Sequence, residues 1–535
     1  MAAARGWLRA HRETARAAAC LALLLAALIA GQGAHRFLTP PYENDFPGFA
    51  RRAASWSSAL ALDGYYPFGY PALLYGMARF TGDAFQAAKV VAIASAWLLA
   101  LTAGLLSAAW LGRRWAAAGV AWVGLNCYFA ESALFLGTDM PWAALQSLAL
   151  LGAVLAIRQR HWPHALWAGA ALGLAYLFRY TALVMLPAWW LYLLLARPFG
   201  PAWRPNLRAA AALTIGFFVL AAPQLAISLR ETGAPFYTLQ AKNVWFGIYG
   251  EGDWQSHWSD VRGDISLWQV LATSPRRFLA HWAAEFARWW GYAAVLALGL
   301  SRLALRALGP AGRALLGGGA ALLAAGALLA AARRRANWRG LRWERAAVFV
   351  ALYAAIYGLS VALVFVQPRF YLALLPFLAV GLLAAWRWLG RGGVRGTLVL
   401  GVAFLVFAAI NSALTWHLAV TRLQPPVDRV AAALGALGAG PEAVVLASFE
   451  MPYRYHTAYN VQPLPKAADG GGLRESLRES GAAFLLLEAD YGPRYWPQLA
   501  PLVYGEQAPG YLRLVWRQAE PGVALYQVIW EKGND

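Results

Sequence analysis

Apolar runs of membrane length, separated by short arginine-bearing loops, recur from residue 17 to residue 418 and leave this chain few ways to fold. A helix that crosses a bilayer needs about 20 predominantly apolar residues, because hydrocarbon offers no partner to an exposed backbone amide. Such runs lie near 17–36, 85–111, 115–131, 138–157, 163–178, 180–196, 208–229, 311–332, 346–366, 370–388 and 396–418. Of the 535 residues, 60% are hydrophobic and 13% charged, against about a quarter charged in soluble domains. The expected fold is a polytopic α-helical membrane protein of about 11–13 transmembrane helices.

The formal charge of +20 points away from nucleic acid, because the arginines sit in loops between apolar runs and form no basic face or tail. They read as topology determinants. Placing Arg113-Arg114, Arg158 to Arg160, Arg197 to Arg208, Arg333 to Arg345 and Arg387 to Arg395 in the cytoplasm orients the spans by the positive-inside rule. The loops 37–84, 131–138, 230–284 and 367–369 then face outward, as does the tail from about 420. The run 285–308 is apolar enough to span, but counting it would place the strongest basic loop outside. Its Arg288, Trp289, Trp290, Arg302 and Arg306 suit an interfacial or re-entrant helix. Arg5, Arg9, Arg12 and Arg16 ahead of Ala17–Ala30 resemble a signal peptide, read here as an uncleaved anchor in a cell (inner) membrane.

Residues 1–420 are therefore expected to form the membrane domain, and 421–535 a small extracytoplasmic α/β domain. Strand-like runs at 443–447, 484–487 and 523–528 stand there between polar and Gly/Pro segments. Cys20 and Cys127 lie in apolar segments and offer neither a disulfide framework nor a thiolate metal site.

Carboxylates are scarce before Arg230: Glu13, Glu43, Asp45, Asp63, Asp83, Glu131 and Asp139 are all there are. Six fall in or at the edge of the first two external loops. Glu43-Asn44-Asp45 follows the first span, and Phe46–Leu62 is patterned as a short surface helix. Tyr65-Tyr66-Pro67-Phe68-Gly69-Tyr70-Pro71 then forces a turn. Asp45 has two readings, an N-cap for a helix starting near Pro47 or a functional acid. Asp139, in Thr138-Asp139-Met140-Pro141, likewise reads as a cap for a helix starting at Pro141 or as a functional acid. Carboxylates facing a cavity at the lipid boundary are costly unless used.

Basic partners for an anion are available in Arg179, Lys242 and Arg369, the last within Gln367-Pro368-Arg369-Phe370-Tyr371. Each arginine serves either as an interfacial anchor or as a planar fork for phosphate. His257, between Asp253 and Asp260, is a weak metal signal, since zinc sites need three or four ligands at recognisable spacing. A divalent metal ion stays open and no cofactor is assigned. No nucleotide-binding loop or serine elbow is present. A secondary transporter or lipid-linked sugar flippase is the competing class, for which repeated halves and broken mid-membrane helices would be the signature.

The acidic motif after the first span, Tyr66-Pro67-x-Gly69-Tyr70-Pro71, Thr138-Asp139-Met140-Pro141, the run ending at Arg179-Tyr180-Thr181, and Pro368-Arg369-Phe370-Tyr371 together resemble one family. It is the GT-C superfamily of integral-membrane glycosyltransferases, in its protein O-mannosyltransferase and lipid A aminoarabinose transferase branch (glycosyltransferase family 39 type). The resemblance covers roughly 15–420. It implies transfer of a sugar, with inversion, from a polyprenyl-phosphate donor to an external lipid, glycan or protein acceptor. Asp45 matches the first-loop general base, with Glu43 as the alternative carboxylate, and Asp139 the second-loop acid. Arg369 matches the arginine that neutralises the leaving phosphate, with the tyrosine hydroxyl here one place later at Tyr371. Arg179, Lys242 and Tyr66 complete the expected substrate contacts.

Overall fold

The computed structural model describes residues 2–39, 43–250, 261, 264–297, 344–390, 394–421, 423–489, 492–505, 508–520 and 522–530. The expected span 311–332 and His257 lie outside these residues. The chain forms two compact units, one of residues 1–32 and 48–416, the other of 33–47 and 417–535.

The first unit is helical. Five helices are long and apolar enough to cross a membrane: Arg12–Ala34, Ala84–Leu111, Asp139–Gln159, Trp203–Thr232 and Pro368–Arg387. Shorter apolar helices cover Tyr180–Ala196, Arg345–Val361 and Leu405–Thr421. This is the polytopic helical architecture that the apolar runs predict.

Several expected elements are broken where a single polar residue intervenes. The run 115–131 is not one helix but two, Ala116–Gly124 and Cys127–Leu134. Asn126 causes the break: its side chain accepts from the Tyr128 N–H and donates to the Leu296 carbonyl, both at 3.1 Å. An asparagine so placed competes for backbone groups and starts a new helix. The expected surface helix 46–62 is likewise two short pieces, Phe46–Arg52 and Trp56–Ala59, the second capped by Ser55.

Helices Pro163–Tyr176 and Trp203–Thr232 meet along a seam of glycines. A Cβ on Gly169 would lie 2.0 Å from the Leu213 carbonyl oxygen, and one on Gly173 2.5 Å from that of Phe217. From the other side, a Cβ on Gly216 would stand 2.2 Å from the Leu166 carbonyl oxygen. Apolar burial gives little drive between helices in lipid, so close backbone approach over small residues does this work.

The second unit holds a five-stranded sheet in the order β2-β1-β3-β5-β4, with β1 Val444–Ala447, β2 Asn460–Pro463, β3 Phe484–Glu488, β4 Leu512–Gln518 and β5 Val523–Val528. β1 pairs parallel with β2 and β3, while β5 runs antiparallel to both β3 and β4. Alternate residues serve opposite faces. Leu446, Leu485, Leu487 and Tyr526 build the core on one side, and Val445, Phe484, Leu486 and Leu525 that on the other. The mixed α/β expectation for the tail holds, and the unit also takes in residues 33–47, far upstream in the chain.

Candidate functional site

Three residues spread over 230 positions of the chain converge in the helical unit: Asp139, Arg179 and Arg369. Each is delivered by a helix end. Helix Asp139–Gln159 begins at Asp139 itself, with Thr138 in the cap position and Pro141 in the first turn. The reading of Asp139 as a cap for a helix starting at Pro141 is thereby corrected. The carboxylate sits one residue inside the helix, where the partial positive charge of the first turn favours it.

Arg179 occupies the extended joint between helix Pro163–Tyr176 and the 3₁₀ turn Tyr180–Val184. Its Nη2 lies 2.5 Å from Asp139 Oδ1, and its Nε donates to Thr138 Oγ1 at 3.1 Å. Arg369 is carried by the 3₁₀ helix Pro368–Leu374, and its Nη1 lies 3.5 Å from Asp139 Oδ2. That turn is tied to the Asp139 helix by buried Ser147, whose hydroxyl donates to the Ala373 carbonyl at 2.7 Å. Two guanidinium groups thus converge on one carboxylate. Such a group attracts an anion, and a planar fork suits phosphate oxygens.

A polar annex adjoins this group in the same unit. Arg52 pairs with Asp63 at 3.0 Å, and Asp63 also accepts the N–H groups of Tyr65 and Tyr66. Burial lowers the Arg52 pKa, with Asp63 opposing the shift. The Tyr65 phenol is pushed up to about 12, chiefly by burial and then by Asp63. Gln224, buried in helix Trp203–Thr232, accepts from the Phe68 N–H at 3.0 Å and donates to the hydroxyls of Tyr180 and Ser228. Gly69 packs directly on the Leu177 carbonyl, accepting no side chain there.

The first-loop acids belong to the other unit, and their environments differ sharply. Glu43 is buried, accepting from the Thr39 N–H at 2.6 Å and lying 3.2 Å from His35 Nε2. Asp45 is exposed in the turn before Phe46. Phe46 begins helix Phe46–Arg52, one residue earlier than the expected start near Pro47.

Of the remaining expected contacts, Lys242 is buried in the first turn of helix Gln240–Tyr249. Tyr371 stacks on Trp289 with ring centroids 3.9 Å apart, and its hydroxyl donates to the Trp289 carbonyl. Tyr66 meets Phe49 edge to face at 5.0 Å. Among the described residues no group of three or more His, Cys, Asp or Glu side chains could hold a metal ion.

Sequence reasoning did not single out Arg52 or Gln224, and it gave Asp63 and Thr138 no role of their own. Gln224 carried a usable signal, being an uncharged polar side chain inside a span that also contains Pro223.

No protein-family profile matches the chain, and no curated protein is significantly similar to it. Among solved structures it is similar to ArnT from Cupriavidus metallidurans in the apo state, at 18% identity and a TM-score of 0.44 over 98% of each chain. It is also similar to the Archaeoglobus fulgidus oligosaccharyltransferase in complex with Zn and sulfate, at 13% identity and a TM-score of 0.47. That likeness covers 83% of this chain and 62% of the other.

Proposed function

We propose that this chain is a membrane glycosyltransferase of the GT-C type that moves a sugar from a polyprenyl-phosphate donor to an acceptor hydroxyl. The observation that carries the reading is the Arg179–Asp139–Arg369 group, which matches in type and order the motifs on which the sequence resemblance rests. In this reading the two guanidinium groups hold the donor phosphate and stabilise the charge that grows on it as the glycosidic bond breaks. Asp139 keeps both arginines aimed.

Asp45 takes the proton from the acceptor hydroxyl as its oxygen attacks C1, and polyprenyl phosphate leaves from the opposite face, so the anomeric centre inverts. The choice of Asp45 over Glu43 rests on exposure. Glu43 already accepts a backbone N–H and is buried, whereas Asp45 is exposed. The active face is taken to be extracytoplasmic, from the distribution of arginines.

The test uses the purified full chain with a panel of polyprenyl-phosphate monosaccharides, following sugar transfer and release of polyprenyl phosphate. Wild-type turnover of one donor, abolished in Asp45→Asn and retained in Glu43→Gln, is the expected pattern. Turnover of no donor, or equal turnover by Asp45→Asn and wild type, sinks it.

A further inference from the structure

Three consecutive backbone N–H groups upstream of the acidic turn are held by side chains from the far end of the chain. Gln424 Oε1 accepts those of Arg36 and Phe37 at 3.0 and 2.9 Å, and His456 Nε2 accepts that of Leu38 at 3.1 Å. The same Gln424 donates through Nε2 to Thr39 Oγ1 at 2.8 Å. Thr39 in turn donates its N–H to Glu43, and the Phe46 N–H closes the turn on the Glu43 carbonyl at 3.0 Å. On the other side of the turn, Phe46 meets Tyr455 edge to face at 5.6 Å. Both ends of the turn bearing Asp45 are therefore fixed to the C-terminal sheet unit, mostly through helix Met451–His456 and Gln424.

We infer that Gln424 and His456 are positioning residues that hold the 43–45 turn in register for the transfer reaction, a role that rests on the reading of Asp45 given above. Neither side chain touches Asp45 through these bonds. Each acts on it through the backbone of 36–39. A neutral amide and an imidazole acceptor suit the task, because each satisfies backbone donors without placing a second charge beside the carboxylate.

The full chain in nanodiscs tests this with whichever panel donor the wild type turns over. Gln424→Ala and His456→Phe should each lower kcat at least tenfold, with KM for the donor within twofold of wild type. Amide hydrogen exchange at Arg36, Phe37 and Leu38 should accelerate at least tenfold while the amides of β1 and β3 keep their protection. His456→Gln, whose Oε1 can accept the Leu38 N–H, should restore most of kcat, which loss of fold alone would not allow. A dead Asp45→Asn alongside fully active Gln424→Ala and His456→Phe leaves the catalytic reading standing and overturns the positioning role. An active Asp45→Asn overturns the catalytic reading, and the positioning role with it, whatever the exchange rates show.

Discussion

Arg179 grips the first turn of the Asp139 helix twice, setting Nη2 2.5 Å from the Asp139 carboxylate and Nε 3.1 Å from the hydroxyl of the preceding threonine. Only a planar, multi-donor head group reaches both acceptors at once. Arg369 meets the same carboxylate at 3.5 Å, and its side chain is the more exposed of the two, at 34% against 12%.

From this asymmetry Arg179→Lys and Arg369→Lys should differ. The first loses the Thr138 bond and with it the aim of the charge, whereas the second keeps a positive charge beside Asp139. A charge-assisted hydrogen bond is worth about 1.5–3 kcal/mol, so Arg369→Ala should weaken binding of polyprenyl phosphate by roughly ten- to a hundredfold. Native mass spectrometry of the purified chain titrated with that lipid measures it. Unchanged binding in Arg369→Ala rules out a phosphate role for this side chain.

Gly169 has no room for any side chain, since a Cβ there would sit 2.0 Å from a backbone oxygen. Gly169→Val should force the two helices apart and lower thermal stability well beyond the about 1–3 kcal/mol typical of overpacking, because the obstacle is main chain. Gly33, with nothing within 4 Å of its would-be Cβ, is the control. Thermal shift and monodispersity of Gly169→Val and Gly33→Val should separate the two positions cleanly.

Glu450 lies immediately before helix Met451–His456, and burial raises its pKa above the ordinary value, with its own backbone N–H and Arg454 opposing. The folded state therefore binds this proton more tightly than the unfolded chain. Its stabilising contribution is complete below the unfolded glutamate pKa of about 4.3 and is lost as pH rises through the folded value. Hydrogen exchange of the sheet amides followed across that window should show protection falling with pH in wild type. In Glu450→Gln this component of the slope should vanish; an identical slope in the variant assigns it elsewhere.

Leu485, wholly buried at the centre of β3, packs in the core on one face of the sheet. Leu485→Ala should cost about 2–5 kcal/mol, the range for a truncated core leucine. Chemical denaturation followed by the fluorescence of nearby Trp496 checks the value.

The spans were readable because a long apolar run has few alternatives in a bilayer. Their interruptions were not, since Asn126 is one polar residue in a run that otherwise averages apolar. Strands β1, β3 and β5 showed as buried apolar runs, but β2 escaped notice, and so did β4. As an edge strand it exposes Arg513 and Arg517, so its composition lacks the apolar signature of its neighbours. Asp139, Arg179 and Arg369 each announced themselves by a proline or an aromatic neighbour at a helix end, yet only packing could bring them to one carboxylate. The bonds from Gln424 and His456 to 36–39 span 385 to 418 positions, and no local pattern encodes a pairing at such separation.

The glycine seam also has a mechanical consequence. Two helices in contact backbone to backbone have no side chains between them to act as bearings, so sliding or rolling one against the other meets an immediate steric stop. Arg179 follows directly from one of these helices and Gln224 lies within the other. The seam therefore resists relative motion of the helix that leads into Arg179 and the helix that carries Gln224.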